Sequence, residues 1–131
     1  MKTHFIHGLL AGGLAGLAAV VYHMAYREAL LVDFSAVMST PAIVGSSIFG
    51  TMLAATGYHF FTKWVPANAD TWFNALFLVL TFASFVGSFA ANLPEDIESP
   101  ELFPGLSIPM HLFPMLFWLA LKPLFTPKKP L

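Results

Sequence analysis

The sequence predicts an all-α integral membrane protein whose four transmembrane helices form an antiparallel up-down bundle. Of its 131 residues, 57% are hydrophobic and only 10% are charged, whereas a soluble domain carries about 25% charged residues. The apolar residues are collected in four long stretches, each near the roughly 20 residues that a helix needs to cross the hydrocarbon core. Polar and apolar residues do not alternate there as in membrane β-strands, so helices are the expected structure.

The predicted spans have apolar centres and helix-starting residues at their boundaries. They run over residues 5–26, 41–62, 71–91 and 106–125, and they make a single membrane domain of residues 1–131. Ser39 and Pro41 are typical of a helix start, because Ser caps free N–H groups and Pro has none to leave unpaired. We expect Asp70 and Ser107 to cap the third and fourth helices, with Pro109 in the first turn of the fourth.

Charged residues divide unequally between the two sides of the predicted bundle. The side that holds both termini carries five of the six basic residues, namely Lys2, Lys63, Lys122, Lys128 and Lys129. The opposite side carries Arg27 and six of the seven acidic residues. Because Lys and Arg near the ends of spans are retained on the cytoplasmic side, both termini are predicted to be cytoplasmic. Trp64, Trp72 and Trp118 are then expected at the cytoplasmic membrane interface.

Small residues spaced by four predict close helix packing. The set comprises Gly8, Gly12 and Gly16 on the first span, Ser46, Gly50 and Ala54 on the second, and Gly87 on the third. Small side chains let two helix backbones approach closely within a membrane. Packing within the chain is the expected role of these stripes, and self-association through a stripe left unused is the alternative.

Five histidines carry most of the site chemistry in a chain that lacks cysteine. His23 and His111 are predicted to share one depth toward the outer side, which makes them candidate cofactor-binding residues for haem or quinone, since neutral imidazole ligates haem iron. Interfacial imidazoles bonded to water, headgroups or loop carbonyls are the alternative. His7 and His23 lie sixteen residues apart, so at about 100° per residue they point to opposite sides of their helix, which argues against two haems.

Several kinds of site are not expected. Without cysteine the chain has no disulfide, thiol redox centre or Cys-ligated metal. No carboxylate lies within a predicted span and no metal-ligand spacing or nucleophile–base pair is present, so we predict neither metal ligands nor catalytic residues. A net charge of -1 gives no reason to expect a nucleic-acid partner.

The most distinctive local feature is the segment that runs from Pro109 to Pro114. Pro114 is predicted to kink the fourth helix, because it removes one backbone hydrogen bond just after His111. A freed carbonyl beside an imidazole within a membrane is typical of a binding pocket. A kink that fits a neighbouring helix is the alternative.

Four spans in this length, a glycine-rich first helix and the sequence Met110-His111-Leu112 give the chain a family likeness. It resembles an uncharacterised family of small four-helix proteins of the bacterial inner (cytoplasmic) membrane. The resemblance implies that architecture and that location. It supplies no activity and no site residues.

Three functions fit these features. The preferred hypothesis is a non-catalytic membrane component without a cofactor, either an accessory subunit of a larger membrane complex or a homo-oligomer, whose partners are the bilayer and another protein within it. The alternative is a haem-, quinone- or lipid-binding subunit that uses His23 and His111. A small transporter of neutral solutes is the third, because the predicted spans offer no carboxylate for ion coupling.

Overall fold

A computed structural model describes residues 2–125, which fold into four α-helices and no strand. The helices are α1 (Lys2–Leu30), α2 (Thr40–Trp64), α3 (Ala69–Ala90) and α4 (Phe103–Phe125), with a 3₁₀ turn at Pro100–Leu102 before α4. Each predicted span corresponds to one of these helices, and the all-α class is confirmed. Lys128 and Lys129, which contribute to the predicted orientation, lie outside the described residues.

Three of the helices are long and apolar enough to cross a membrane. They are α1, α3 and α4 together with its preceding 3₁₀ turn, and they fit an integral membrane protein. The helix α2 has 25 residues, which is sufficient length. It is absent from this group because its Ser, Thr and Gly residues lower its mean hydropathy.

The helix α1 lies between α2 and α4 and packs along both. The helix α3 packs mainly on α4, makes fewer contacts with α2, and has none with α1 within residues 2–125. Neighbouring helices are antiparallel, as the contact of His7 with Trp118 at one end and of Tyr22 with Gly105 at the other shows for α1 and α4. The α2–α3 side of the assembly is therefore its least closed side.

Glycine brings α1 against α2. A Cβ atom added at Gly12 would lie 2.6 Å from the Ile48 Cα, and one added at Gly16 would lie 3.1 Å from the Val44 Cα. Real Cβ atoms essentially never approach another atom as closely as the first of these distances. The two backbones therefore meet only because these positions have no side chain, as expected for a small-residue stripe.

The buried face of α1 winds around the helix. His7, Ala11, Ala15, Ala19 and His23 are all buried and are spaced by four. Such a row rotates by about 40° at each step, because four residues exceed one turn of 3.6. The sixteen-residue spacing does point the two imidazoles in different directions, yet both directions are covered by protein, because α1 has neighbours on two sides.

The link between α1 and α2 folds back onto the end of the bundle. Its Phe34 is only 1% exposed and Val32 is also buried. The Phe34 ring meets the Phe103 ring edge-on, with 5.5 Å between the centroids. The link thus closes this end with apolar side chains.

Two tyrosine hydroxyls of α1 donate hydrogen bonds to carbonyls at the start of α4. Tyr22 donates to the Gly105 carbonyl at 2.8 Å, and Tyr26 donates to the Leu102 carbonyl at 2.7 Å. In a regular helix the Gly105 carbonyl accepts from the N–H four residues later, but that residue is Pro109, which has none. Tyr22 replaces the missing donor. The expectation that Pro109 lies in the first turn is wrong, because α4 begins at Phe103.

Two expected helix caps are also wrong. The residue before α3 is Asn68, so Asp70 lies within the first turn, where its carboxylate pairs with Lys122 instead of capping the helix. Ser107 lies inside α4, and its hydroxyl bonds the Ser88 hydroxyl of α3 at 2.9 Å. Both side chains thus join α3 to α4.

The three tryptophans do not share one environment. Trp64 and Trp72 are exposed, as expected of interfacial residues, whereas Trp118 is 0% exposed. Its indole lies between His7, at 4.1 Å between ring centroids, and Phe73, at 5.9 Å. Trp118 therefore faces the core of the bundle and not its surface, and its depth in the membrane stays a prediction.

Candidate functional site

A cleft of about 580 Å³ lies between α2 and α3, and residues of α4 line its inner side. It exists because these two helices make few contacts with each other while each packs on another helix. Its lining is mostly apolar. Ligand-binding pockets of proteins have volumes of about 300–1,000 Å³ and are lined largely by apolar side chains with a few polar groups. The cleft has this character.

Polar side chains are gathered at one end of the cleft, toward the α1–α2 link. This polar end comprises Ser46 and Ser47 of α2, Thr81 and Ser84 of α3, and His111 of α4. The opposite, apolar end is lined by Leu53, Gly57, Phe73, Leu76 and Phe77. The cleft is therefore amphipathic along its length.

The hydroxyl hydrogens at the polar end are already bonded. Each of the four hydroxyls donates to a carbonyl three or four residues earlier in its own helix, as Ser and Thr commonly do within helices. The oxygen–oxygen distances are 3.1 Å for Ser46, 2.9 Å for Ser47, 2.8 Å for Thr81 and 2.6 Å for Ser84. What these side chains leave for a ligand is oxygen lone pairs.

The His111 ring is oriented by its own helix. Its Nδ1 lies 2.8 Å from the Ser107 carbonyl oxygen, and because a carbonyl only accepts, Nδ1 carries the hydrogen. In the neutral ring Nε2 is then an acceptor. The Ser107 hydroxyl lies 3.5 Å from the same Nδ1 and extends the network to Ser88.

Pro114, the predicted kink residue, also lines the cleft, together with Met110. Pro114 has no N–H to donate to the Met110 carbonyl, which is its partner in a regular helix. The α4 backbone therefore lacks one internal donor beside His111. The predicted neighbourhood of imidazole, proline and binding pocket occurs in the structure.

His23 does not belong to the cleft. Its side chain is buried against α1's neighbours, and its Nε2 has no hydrogen-bond partner within the described residues. His111 lines the cleft and His23 does not, and residues 2–125 show no hydrogen bond or ring contact between the two. The cleft therefore contains only one of the two predicted histidines, and their pairing around a haem stays a prediction.

The predicted small-residue positions fall into two groups. The α1 glycines face α2, as described above, whereas Ser46, Gly50 and Ala54 line the cleft. A Cβ atom at Gly50 or at Gly87 of α3 would meet no atom within 4 Å. Within residues 2–125 no other helix therefore packs closely against these two glycines, and their predicted role in packing stays a prediction.

A second polar cluster, the Lys122 cluster, lies beyond the apolar end of the cleft. The Lys122 Nζ is 3.0 Å from Asp70 Oδ1 and 3.2 Å from Asn74 Oδ1, and it lies 4.6 Å from the centre of the Tyr58 ring. The Tyr58 hydroxyl donates to the Asp70 carboxylate. These contacts connect α2, α3 and α4 at one end. The sequence signal for this cluster is the four-residue spacing of Asp70 and Asn74, which places both residues on one face of α3.

His7 has a packing role. Its Nε2 lies 2.9 Å from the Trp118 carbonyl oxygen, and its ring stacks on the rings of Trp118 and Phe125. Both contacts join α1 to α4. The His7 ring therefore contacts α4, and His7 does not line the cleft.

The acidic segment between α3 and α4 lines a separate surface pocket that includes Glu95 and Glu101. No three His, Asp or Glu residues in the described part of the chain are placed to hold a metal ion.

Scans of family models and searches of curated proteins and solved structures found no match to this chain. The resemblance to small bacterial inner-membrane proteins stays a prediction.

Proposed function

We propose that this integral membrane protein binds an elongated lipophilic molecule in the cleft between α2 and α3. The observation that carries the proposal is the cleft itself, which combines a volume of about 580 Å³, an apolar lining and polar groups at one end only. A role as a binding subunit, which the sequence offered as an alternative, is favoured over pure packing because the α2 stripe lines this empty space.

We also propose that all four helices cross the membrane, with both termini cytoplasmic. The hydroxyls that lower the hydropathy of α2 donate to its own backbone, as Thr51 and Thr56 do, and self-satisfied hydroxyls reduce the free-energy cost of placing a helix in lipid. The helix is antiparallel to α1 along its length, and its one charged residue, Lys63, lies at its end. The bacterial inner membrane is the proposed location.

The absence of cysteine gives a direct test of this topology. Single variants Ala36→Cys, Ala67→Cys and Glu98→Cys place one thiol in each link. In spheroplasts, a membrane-impermeant maleimide is expected to label positions 36 and 98, and to label position 67 only after permeabilisation. Labelling of 36 and 67 from the same side would show that α2 does not cross.

With four spans, the cleft lies at the depth of the hydrocarbon and is reached from the lipid. Exposed Leu53 and Leu80 border it on α2 and α3. Its α2 lining extends from Ile43 to Gly57, and these fourteen steps correspond to about 21 Å at 1.5 Å per residue. A chain-like molecule dissolved in the membrane matches this shape better than a compact one.

A filled cleft tests the proposal. Gly50→Leu adds a side chain where no atom lies within 4 Å of the Cβ, and Gly87→Leu adds the same group at an equally open position outside the cleft. Native mass spectrometry of protein released from lipid nanodiscs is expected to show a bound lipophilic molecule on the wild type and on Gly87→Leu. Equal binding by Gly50→Leu would refute the cleft as the site.

The second candidate function is that of an accessory subunit or homo-oligomer, in which a helix of another chain occupies the same cleft. It is favoured by the open Cβ position of Gly50 and by the exposed apolar side chains Leu53 and Leu80 at the border of the cleft. In that case Gly50→Leu, and not Gly87→Leu, reduces the size of the complex on a native gel. The neutral-solute transporter stays a prediction, which liposome flux would test.

A further inference from the structure

The polar end of the cleft presents hydrogen-bond acceptors without a free donor among the described residues. All four hydroxyl hydrogens are directed to helix carbonyls. The His111 Nδ1–H is directed to the Ser107 carbonyl, which leaves Nε2 as an acceptor. The Met110 carbonyl lacks its regular donor because of Pro114. A polar group that enters this end therefore meets lone pairs.

We infer that the cleft selects amphiphiles whose polar head donates a hydrogen bond, with the head at His111 and the tail directed toward Phe73. Long-chain phenols, including reduced quinols, and long-chain alcohols have this chemistry. The inference rests on the proposed function, and it names the class of ligand and its orientation at that same site.

The selection has a physical cause. A head that carries a hydroxyl donates a hydrogen bond to the Nε2 acceptor of His111. A head with acceptors alone removes water from that nitrogen and supplies no hydrogen bond to replace it. One hydrogen bond of this kind changes binding by about three- to tenfold. A quinone, which has only carbonyl oxygens at its head, is thus expected to bind less well than its quinol.

The orientation follows from the lining of the other end. Leu53, Phe73 and Phe77 surround the tail with apolar side chains, and the rings of Phe73 and Phe77 lie against each other at 6.2 Å between centroids. A polar head held against these side chains would lose its bonds to water without replacement, and the Lys122 cluster beyond them is already joined by its own ion pair and hydrogen bonds. Under the proposed topology, the head therefore lies in the outer half of the membrane.

A matched pair of probes tests the inference. The molecules 4-dodecylphenol and 4-dodecylanisole have the same ring and tail and differ in an O–H group against an O–CH₃ group. An equimolar mixture is added to nanodiscs that hold the full-length protein, and the bound fractions are counted by native mass spectrometry. We expect the phenol to be preferred by about three- to tenfold.

Two variants locate the preference. His111→Phe keeps a ring and removes the acceptor, so the preference is expected to fall to about one, because the phenol loses its hydrogen bond and the anisole no longer leaves a ring nitrogen unpaired. His59→Phe, which removes an imidazole outside the cleft, is expected to keep it. Gly50→Leu is expected to lose both probes.

The outcomes separate the two proposals. Equal binding of the probes to the wild type, or an unchanged preference in His111→Phe, overturns the inference and leaves lipophilic binding intact. Binding of neither probe to the wild type overturns the proposed function and the inference with it.

Discussion

Replacement of Gly12 by alanine tests the close approach of α1 and α2. The added methyl group would lie 2.6 Å from the Ile48 Cα, while ordinary van der Waals contact begins at 3.4 Å. The difference, 3.4 minus 2.6, requires the two backbones to separate by 0.8 Å at this point. Backbone atoms cannot rotate away as the end of a side chain can, so the contacts along the α1–α2 interface lengthen together.

The expected loss of stability follows from that separation. A gap of 0.5–1 Å removes roughly a quarter to a half of the dispersion energy of the contacts involved, and overpacking of a core typically costs about 1–3 kcal/mol. Gly13 is the matched control, because its Cβ position has no neighbour within 4 Å. Gly13→Ala is expected to be neutral or to stabilise by up to about 1 kcal/mol through helix propensity.

Equilibrium unfolding in mixed micelles, followed by circular dichroism as the fraction of sodium dodecyl sulfate rises, measures both variants against the wild type. Gly12→Ala is expected to unfold at a lower fraction, and Gly13→Ala at an equal or higher one. If the two variants unfold together, the backbone contact at Gly12 does not hold α1 against α2 and the reasoning fails.

Three further changes test other contacts by the same unfolding measurement. Lys122→Met is expected to lower the free energy of unfolding by about 0.5–1.5 kcal/mol, because it removes the ion pair with the half-exposed Asp70 and the hydrogen bond to Asn74. The double variant with Asp70→Asn is expected to recover part of the loss. Tyr22→Phe is expected to lower the free energy of unfolding by about 0.5–1.5 kcal/mol. The loss is expected to be smaller in a Pro109→Ala background, where the N–H of residue 109 can donate to the Gly105 carbonyl. An equal loss in both backgrounds would contradict the role of Tyr22 as a substitute donor. Phe34→Ala is expected to cost about 3–5 kcal/mol, and a change below about 1 kcal/mol would show that the link does not close the bundle end.

Local patterns predicted what depends on neighbours along the chain. The apolar runs located the helices, and the four-residue spacing identified Gly8, Gly12 and Gly16 as small positions of one helix. The same spacing in Ser46, Gly50 and Ala54 led to a different environment, because those residues line the cleft instead of a packed interface. A stripe of small residues makes room for the close approach of a helix or a ligand. The stripe alone does not identify which of the two lies against it.

Contacts between distant parts of the chain were not predictable from the sequence. The pairing of Lys122 with Asp70 and the burial of Trp118 both depend on the rotation of α4 about its own axis. No periodicity in a single helix specifies that rotation, because α4 is apolar on nearly every side. The absence of His23 from the cleft that His111 lines has the same origin, since similar depth along two helices does not fix the direction of their side chains.

The position of α1 has a consequence for biosynthesis. One of its faces is completed by α2, which follows it directly, and the other by α4, the fourth helix along the chain. During translation the α1–α2 hairpin is able to form early through its glycine contact. His7 and Tyr22 form their hydrogen bonds only later, because their partners lie 111 and 83 residues downstream. The helix α1 therefore reaches its final surroundings only after α4 has been made, and a chain truncated before α4 leaves α1 without one of its two neighbours.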